Sequence, residues 1–280
     1  MTLFSFDIFW GAVFFALGLA WGSFANVCIW RIPRGEEVVR TPSHCPDCQS
    51  PIKWFDNIPV LSYLALGGKC RNCGKTISPQ YPAVELVSGF LFLSLYLHYG
   101  LEPRLAVALM FGWALMVISF IDLKHYIIPD VISLPWLGLG LTLAGLATAG
   151  LPLFLDPLDG GSGQTAPILA SLLGAALGGG FLMAAAWAGK LAFRQEAMGG
   201  GDVKLAAMIG AFLGWKATAF SLFAAFLAGS LAGAALILLG RVRARRAVVP
   251  FGPFLALGAL AAIFLSRAAI NWYLGLMLGR

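Results

Sequence analysis

Arg104-Leu-Ala-Val-Ala-Leu-Met-Phe-Gly-Trp-Ala-Leu-Met-Val-Ile-Ser-Phe-Ile-Asp122 decides the fold. No charge interrupts it between its two ends. A helix rises 1.5 Å per residue, so a run of this length approaches the thickness of a bilayer core, about 30 Å. It closes on an acid, and a charged group at membrane depth is costly enough to be a functional candidate by default.

The same pattern recurs along the chain. Of the 280 residues, 59% are hydrophobic and 11% charged, whereas a soluble domain carries about a quarter charged residues. The reading is an all-α polytopic membrane protein of about eight segments: Ile8–Trp30, Ala83–Tyr99, Arg104–Ile121, Val131–Ala149, Pro167–Leu191, Val203–Leu213, Ala217–Gly240 and Pro253–Tyr273. The sixth is too short to span alone and is expected to be partial or re-entrant, a form tolerated only beside protein or a wet cavity. The first is read as a retained span, because Asp7 stands where a cleavable signal carries positive charge and no small-residue cleavage site follows.

Basic residues fall on alternate loops. Arg31, Arg34, Arg40, Lys53, Lys69, Arg71 and Lys75 follow the first segment, Lys124 the third, Arg194 and Lys204 the fifth, and Arg241, Arg243, Arg245 and Arg246 the seventh. The positive-inside rule makes these loops cytoplasmic. The net charge of +6 is then topological and implies contact with membrane lipid, not nucleic acid.

One hydrophilic stretch, residues 31–82, separates the first segment from the rest. It holds Cys45-Pro-Asp-Cys48 and Cys70-Arg-Asn-Cys73. Two Cys-x-x-Cys pairs at zinc-ribbon separation can close a tetrahedral thiolate site with no open position, which reads as structural Zn²⁺. A redox dithiol or a pair of disulfides is the alternative, and a cytoplasmic location disfavours disulfides. His44 adjoins Cys45 as a spare ligand.

Two further acids stand out. Asp122 ends the third segment near a helix C-terminus, where negative charge is disfavoured and capping asks for nothing. Asp202 follows Gly199-Gly200-Gly201, three residues without side chains past which an extended substrate backbone could approach. Asp202 also reads as an N-cap, as does Asp130 after Pro129. Both Asp122 and Asp202 fall at the cytoplasmic boundary, where two carboxylates sharing one proton could activate water against a peptide carbonyl. The helix-end positions suggest Asp202 as the initial base and Asp122 as the acid. Glu85, just inside the second segment, reads equally as a helix-start charge or a buried partner.

Read together, these pieces resemble a known family. Gly22-Ser-Phe-Ala-Asn26-Val-Cys-Ile-Trp30-Arg31-Ile-Pro33, the two cysteine pairs, Pro59-Val-Leu-Ser-Tyr63, Ser78-Pro-Gln-Tyr81-Pro-Ala-Val-Glu85-Leu, Phe120-Ile-Asp122 through Pro129-Asp130, and Glu196-Ala-Met-Gly-Gly-Gly-Asp202-Val-Lys204 occur in order. The set resembles the type IV prepilin leader peptidases, membrane aspartyl proteases of the Gly-x-Gly-Asp type. The resemblance implies cleavage after a glycine of the basic leader of type IV prepilins and type II secretion pseudopilins. It also implies N-methylation of the new N-terminal residue, commonly phenylalanine, from S-adenosylmethionine.

By this resemblance the catalytic residues are Asp122 and Asp202, and the metal ligands are Cys45, Cys48, Cys70 and Cys73. Residues 1–30 become a first transmembrane segment, 31–82 a methyltransferase-associated zinc module and 83–280 the peptidase. The site lies at the cytoplasmic side of a bacterial inner membrane. No residues are assigned to the methyl donor, and the oligomeric state is left open. The alternative from another class is a transporter or channel with a zinc-binding regulatory domain, which would require polar groups near the bilayer midplane.

Overall fold

The computed structural model describes residues 3–158, 166–193, 199–239 and 250–278. Among these the chain is helical, and pairing outside helices is limited to two isolated bridges in the cysteine segment. The helices are α1 (Leu3–Arg31), α2 (Leu61–Ala65), α3 (Gln80–Tyr99), α4 (Pro103–His125), α5 (Asp130–Thr148), α6 (Pro167–Phe193), α7 (Gly200–Leu238) and α8 (Gly252–Leu278). All except α2 are long and apolar enough to cross a membrane, so the protein is a multi-pass membrane protein. Arg194, Glu196 and the basic run Arg241, Arg243, Arg245 and Arg246 lie outside the described residues.

Packing divides the chain into two compact units, Met1–Val117 and Ile118–Arg280. This differs from the chemical partition expected at residues 82 and 83, because α3 packs with α1. The cause is small residues at helical spacing. Gly18 of α1 lies against Ser88 and Gly89 of α3, and Gly22 against Glu85, so a Cβ at either would collide with the facing backbone. In lipid no hydrophobic force draws helices together, and such close approach supplies the dispersion contacts that do. Arg31, at the end of α1, is buried. Its guanidinium donates to the carbonyls of Glu37, Val38, Thr41 and Pro42 at 2.7–3.3 Å. This arginine organises the chain entering the cysteine segment and is not a free interfacial charge.

In the second unit α6 and α7 pack through Gly174 on Gly210 and Gly178 on Ala206. Helix α7 is not straight. Gly214 has φ 73° and ψ 168°, a conformation open to glycine and not to residues with a Cβ. A straight helix would hold positions 202 and 229 about 40 Å apart. Instead, Gly229 packs on Phe254, close to Gly252, whose N–H bonds Asp122, and Asp122 interacts electrostatically with Asp202. Gly214 therefore turns α7 back on itself. Its first limb, residues 200–213, rises about 21 Å, short of the hydrocarbon thickness. The two limbs of α7 are the sixth and seventh expected segments, so the seven membrane-competent helices account for the eight segments read from the sequence. The break is supported from the side: Thr218 Oγ1 donates to the Gly214 carbonyl at 2.7 Å, and the Asp156 carboxylate occupies the space a Cβ at Gly214 would need.

Candidate active site and metal centre

The cysteine segment folds as two copies of one turn. Cys45 N–H donates to Ser50 O and Gln49 N–H to Cys45 O; Cys70 N–H donates to Lys75 O and Gly74 N–H to Cys70 O. The bridges His44–Pro51 and Lys69–Thr76 close the two turns. The fourth residue after each first cysteine has positive φ, 57° at Gln49 and 71° at Gly74. Glycine accepts that geometry freely and glutamine under strain. Asn72 cross-links the copies, donating to Ser50 Oγ at 2.7 Å and to Cys48 Sγ at 3.7 Å. Lys75 pairs with Asp47 across them.

The four sulfurs lie within 4.8 Å of one another, with Cys45 and Cys73 at 3.9 Å. A tetrahedral Zn²⁺ with Zn–S bonds of about 2.3 Å requires sulfurs about 3.8 Å apart, so the four cysteines fit a metal. Ionisation points the same way. Hydrogen bonds from Ser50 and Asn72 pull the Cys48 thiol down to about 6. At Cys73 a hydrogen bond from Lys75 N–H favours the thiolate, but desolvation and the neighbouring sulfurs push the group up to about 11. Four thiolates crowded together cannot all ionise unaided, and a dication removes that repulsion. His44 takes no part; its Nδ1 lies 3.2 Å from Pro42 O. Arg71, next to Cys70 in sequence, forks onto both Asp56 oxygens at 2.6–3.1 Å.

Glu85 is a buried partner, not a helix-start charge. Its Oε2 accepts the Val60 N–H at 2.7 Å. Val60 has φ 61°, a costly conformation for a β-branched residue. The link from α3 holds the strained stretch between the cysteine pairs.

The second unit carries the acids. Asp122 is 5% exposed. Its Oδ2 accepts the Gly252 N–H at 2.9 Å, at the first residue of α8. Any side chain there would push the Asp122 carboxylate aside, because a Cβ on Gly252 would sit 2.6 Å from the same oxygen. Asp202 is half-buried in the first turn of α7, where Gly199 takes the N-cap position. Its carboxylate accepts the Gly199 N–H, the reach-back half of a capping box. Asp202 is therefore not itself the cap. The two acids are near enough to interact electrostatically, and each faces the positive end of a helix, Asp202 on α7 and Asp122 against α8. The asymmetry expected from the end of α4 alone is offset by α8, and the helix ends no longer choose which acid is the base.

The three glycines serve different ends. Gly201 is packed, its missing Cβ facing Ile128 at 2.9 Å, which lets the start of α7 settle on the loop after Asp122. A Cβ on Gly200 would meet nothing within 4 Å, and one on Gly199 would sit 3.7 Å from Asp202 Oδ2. Asp130, expected as an N-cap, is the first residue of α5, and Pro129 takes the cap position. Its carboxylate instead receives Lys204 Nζ with both oxygens at 2.7 Å, tying the starts of α5 and α7 together beside the acids. Gly252 is not legible in the sequence as part of the site. Its signal in the sequence is only that a glycine opens an apolar segment, which many do.

Residues 16–99 match the bacterial peptidase A24 N-terminal domain and residues 109–238 the type IV leader peptidase family. A protein of Bacillus subtilis named prepilin leader peptidase/N-methyltransferase is 36% identical over 268 residues, covering 96% of this chain and 99% of the relative. A Pseudomonas aeruginosa protein of the same name is 33% identical, covering 92% of this chain and 91% of its own. One from Myxococcus xanthus is 40% identical over 81% of this chain, which spans 63% of that longer relative. No solved structure matches.

Proposed function

We propose, from the premise that this chain belongs to the type IV leader peptidase family, that it is a membrane-embedded aspartic endopeptidase removing the leader from type IV prepilins and type II secretion pseudopilins after a glycine. It then methylates the new N-terminal amine, commonly of phenylalanine, from S-adenosylmethionine. The observation that carries the first activity is the meeting of Asp122 and Asp202, from helices far apart in sequence, at one end of the second unit.

The chemistry follows from two carboxyl groups sharing one proton. The ionised group takes a proton from water as the water oxygen bonds to the scissile carbonyl carbon. The protonated group gives its proton to the carbonyl oxygen. Collapse of the tetrahedral species breaks the C–N bond. The departing amine takes a proton from the first carboxyl, and the second recovers its own. Gly252 N–H holds Asp122 in place, and the bare backbone at Gly199 and Gly200 leaves room for an extended substrate. The Lys204–Asp130 pair fixes the start of α7 against α5.

Cys45, Cys48, Cys70 and Cys73 would hold one structural Zn²⁺, which organises residues 31–82, a segment too small and polar to fold on core burial alone. The positive-inside rule puts the loops carrying both acids and the cysteine segment at the cytoplasmic face of the inner membrane. Purified protein, a synthetic prepilin and labelled S-adenosylmethionine test the whole reading. The expected product has lost its leader and gained one methyl group by mass. Intact prepilin after prolonged incubation overturns the peptidase assignment, and cleaved but unmethylated product overturns the second activity alone.

A further inference from the structure

The stretch between the two cysteine pairs carries an apolar edge of its own. Trp54, in the short helical turn Trp54–Asn57, is 81% exposed, and Leu61 and Leu64, one turn apart on α2, are 66% and 67% exposed. Phe55 and Ile58 add to it. Ser62 holds the turn and α2 as one piece. It is buried, donates to Phe55 O at 2.8 Å and accepts the Ile58 N–H at 3.0 Å. Large apolar side chains left outward on so small a module mark an interaction surface. The position of α2 says what covers it. Glu85, whose Oε2 takes the Val60 N–H at 2.7 Å, lies roughly 7 Å along the membrane-competent helix α3 from Gln80. Helix α1 passes the same level at Gly22, which touches Glu85, and runs on to Arg31, roughly 13 Å further toward the same face of the membrane. Val60 immediately precedes Leu61, so α2 starts beside the apolar length of these two helices and not beyond their ends.

We infer that α2 and the turn before it form an interfacial anchor, docked in the phospholipid leaflet at the end of α1 with Trp54, Leu61 and Leu64 at the boundary of headgroups and acyl chains. Three observations choose lipid as the occupant. The Val60–Glu85 bond sets the depth. Tryptophan beside leucines on a short stretch is the composition that settles at this boundary. Lys53 and Lys69 flank the stretch and are exposed, while Asp56 within it is taken by Arg71, so the edge meets anionic headgroups with positive charge. The cysteine centre, whose second pair begins at Cys70, is then held at a fixed height against the bilayer. This docking is independent of the peptidase chemistry.

The test uses full-length, zinc-loaded protein labelled with fluorotryptophan, in nanodiscs of phosphatidylethanolamine and phosphatidylglycerol. The fluorine resonance of Trp54 is the one lost in Trp54→Phe. Its line broadening is compared between a lipid bearing a nitroxide near the headgroup end of its acyl chain and a water-soluble gadolinium chelate. In wild type the lipid-borne label should broaden it more than the chelate does. Leu61→Ser with Leu64→Ser removes most of the apolar area of α2 and should lower the lipid-to-water broadening ratio by at least about threefold, with zinc retained. Lys53→Gln with Lys69→Gln should lower it less and abolish its rise with phosphatidylglycerol content. Broadening by the chelate as strong as that by the lipid label overturns the inference, because the edge then faces water. Broadening by neither overturns it as well, because protein then covers the edge. A zinc-bound leucine variant that keeps the wild-type ratio removes α2 as the anchor. Should that variant fail to fold, the wild-type comparison decides by itself.

Discussion

The cysteine centre and the aspartate pair are built in opposite ways. The first is local: four ligands fall within Cys45 to Cys73, and each pair is shaped by its own turn through hydrogen bonds spanning five residues. The second is assembled from α4, α7 and α8, with Asp122, Asp202 and Gly252 supplied by three helices. A local site can be written into spacing, because turn geometry fixes the sulfurs once the metal closes them. A distributed site depends on how helices lie against one another, and its exactness resides in glycines that permit contact: Gly201 on Ile128, Gly252 on Asp122, and Gly174 on Gly210.

The largest effects should separate the two sites. Asp122→Asn and Asp202→Asn each remove one member of the proposed proton-sharing pair, and cleavage of a synthetic prepilin should fall by at least about 10³-fold. Metal analysis of either variant should still find one zinc per chain. Strong cleavage by either would dissolve the contrast.

Replacing Cys45 and Cys70 together with serine should act in the other direction. Metal content should drop to background, and residues 31–82 should become protease-sensitive, since the binding free energy of a structural zinc is largely the folding free energy of its module. Full zinc occupancy in that double variant would refute the assignment.

Gly252→Ala should come next. The added methyl displaces the Asp122 carboxylate by a fraction of its contact distance. Displacements of about 1 Å cost about 10²-fold in rate, so kcat should fall by about tenfold or more with zinc and fold retained. An unchanged kcat would mean that the Asp122–Gly252 contact does not set the working geometry.

The smallest effect belongs to Asp56→Asn. The Arg71 guanidinium holds the Asp56 carboxyl below the usual carboxylate range. A depressed folded-state value contributes stability above the group's unfolded value and loses it as pH falls through the folded one. The variant should therefore melt slightly earlier than wild type at pH 7, and the difference should vanish in acid. An ion pair whose arginine stays half-exposed contributes little, and a large difference at pH 7 would show that the arginine fork is holding the metal turns together.

Residue by residue, the sequence reads well where chemistry is local and poorly where it is not. Charge and apolar length reveal the membrane helices, because lipid tolerates few alternatives to a helix. The pairing of Glu85 with the Val60 N–H is invisible, since the two lie far apart in sequence and nothing at either position names the other. Asp130 looks like a cap and is an ion-pair partner of Lys204, because a first-turn acid satisfies either role equally well on paper. Val203–Leu213 stands out as too short, yet its reversal at Gly214 rests on a φ value that a glycine permits and does not compel.

The sequence alone determined a multi-pass helical protein, a four-cysteine cluster that fits zinc, and which two acids to examine, because burial, turn geometry and the cost of charge in lipid act over a few residues at a time. Only the tertiary structure decided that α7 doubles back and that Asp122 rests on the first N–H of α8. Those features depend on the approach of helices distant in sequence, which is set by the absence of side chains at a handful of glycines.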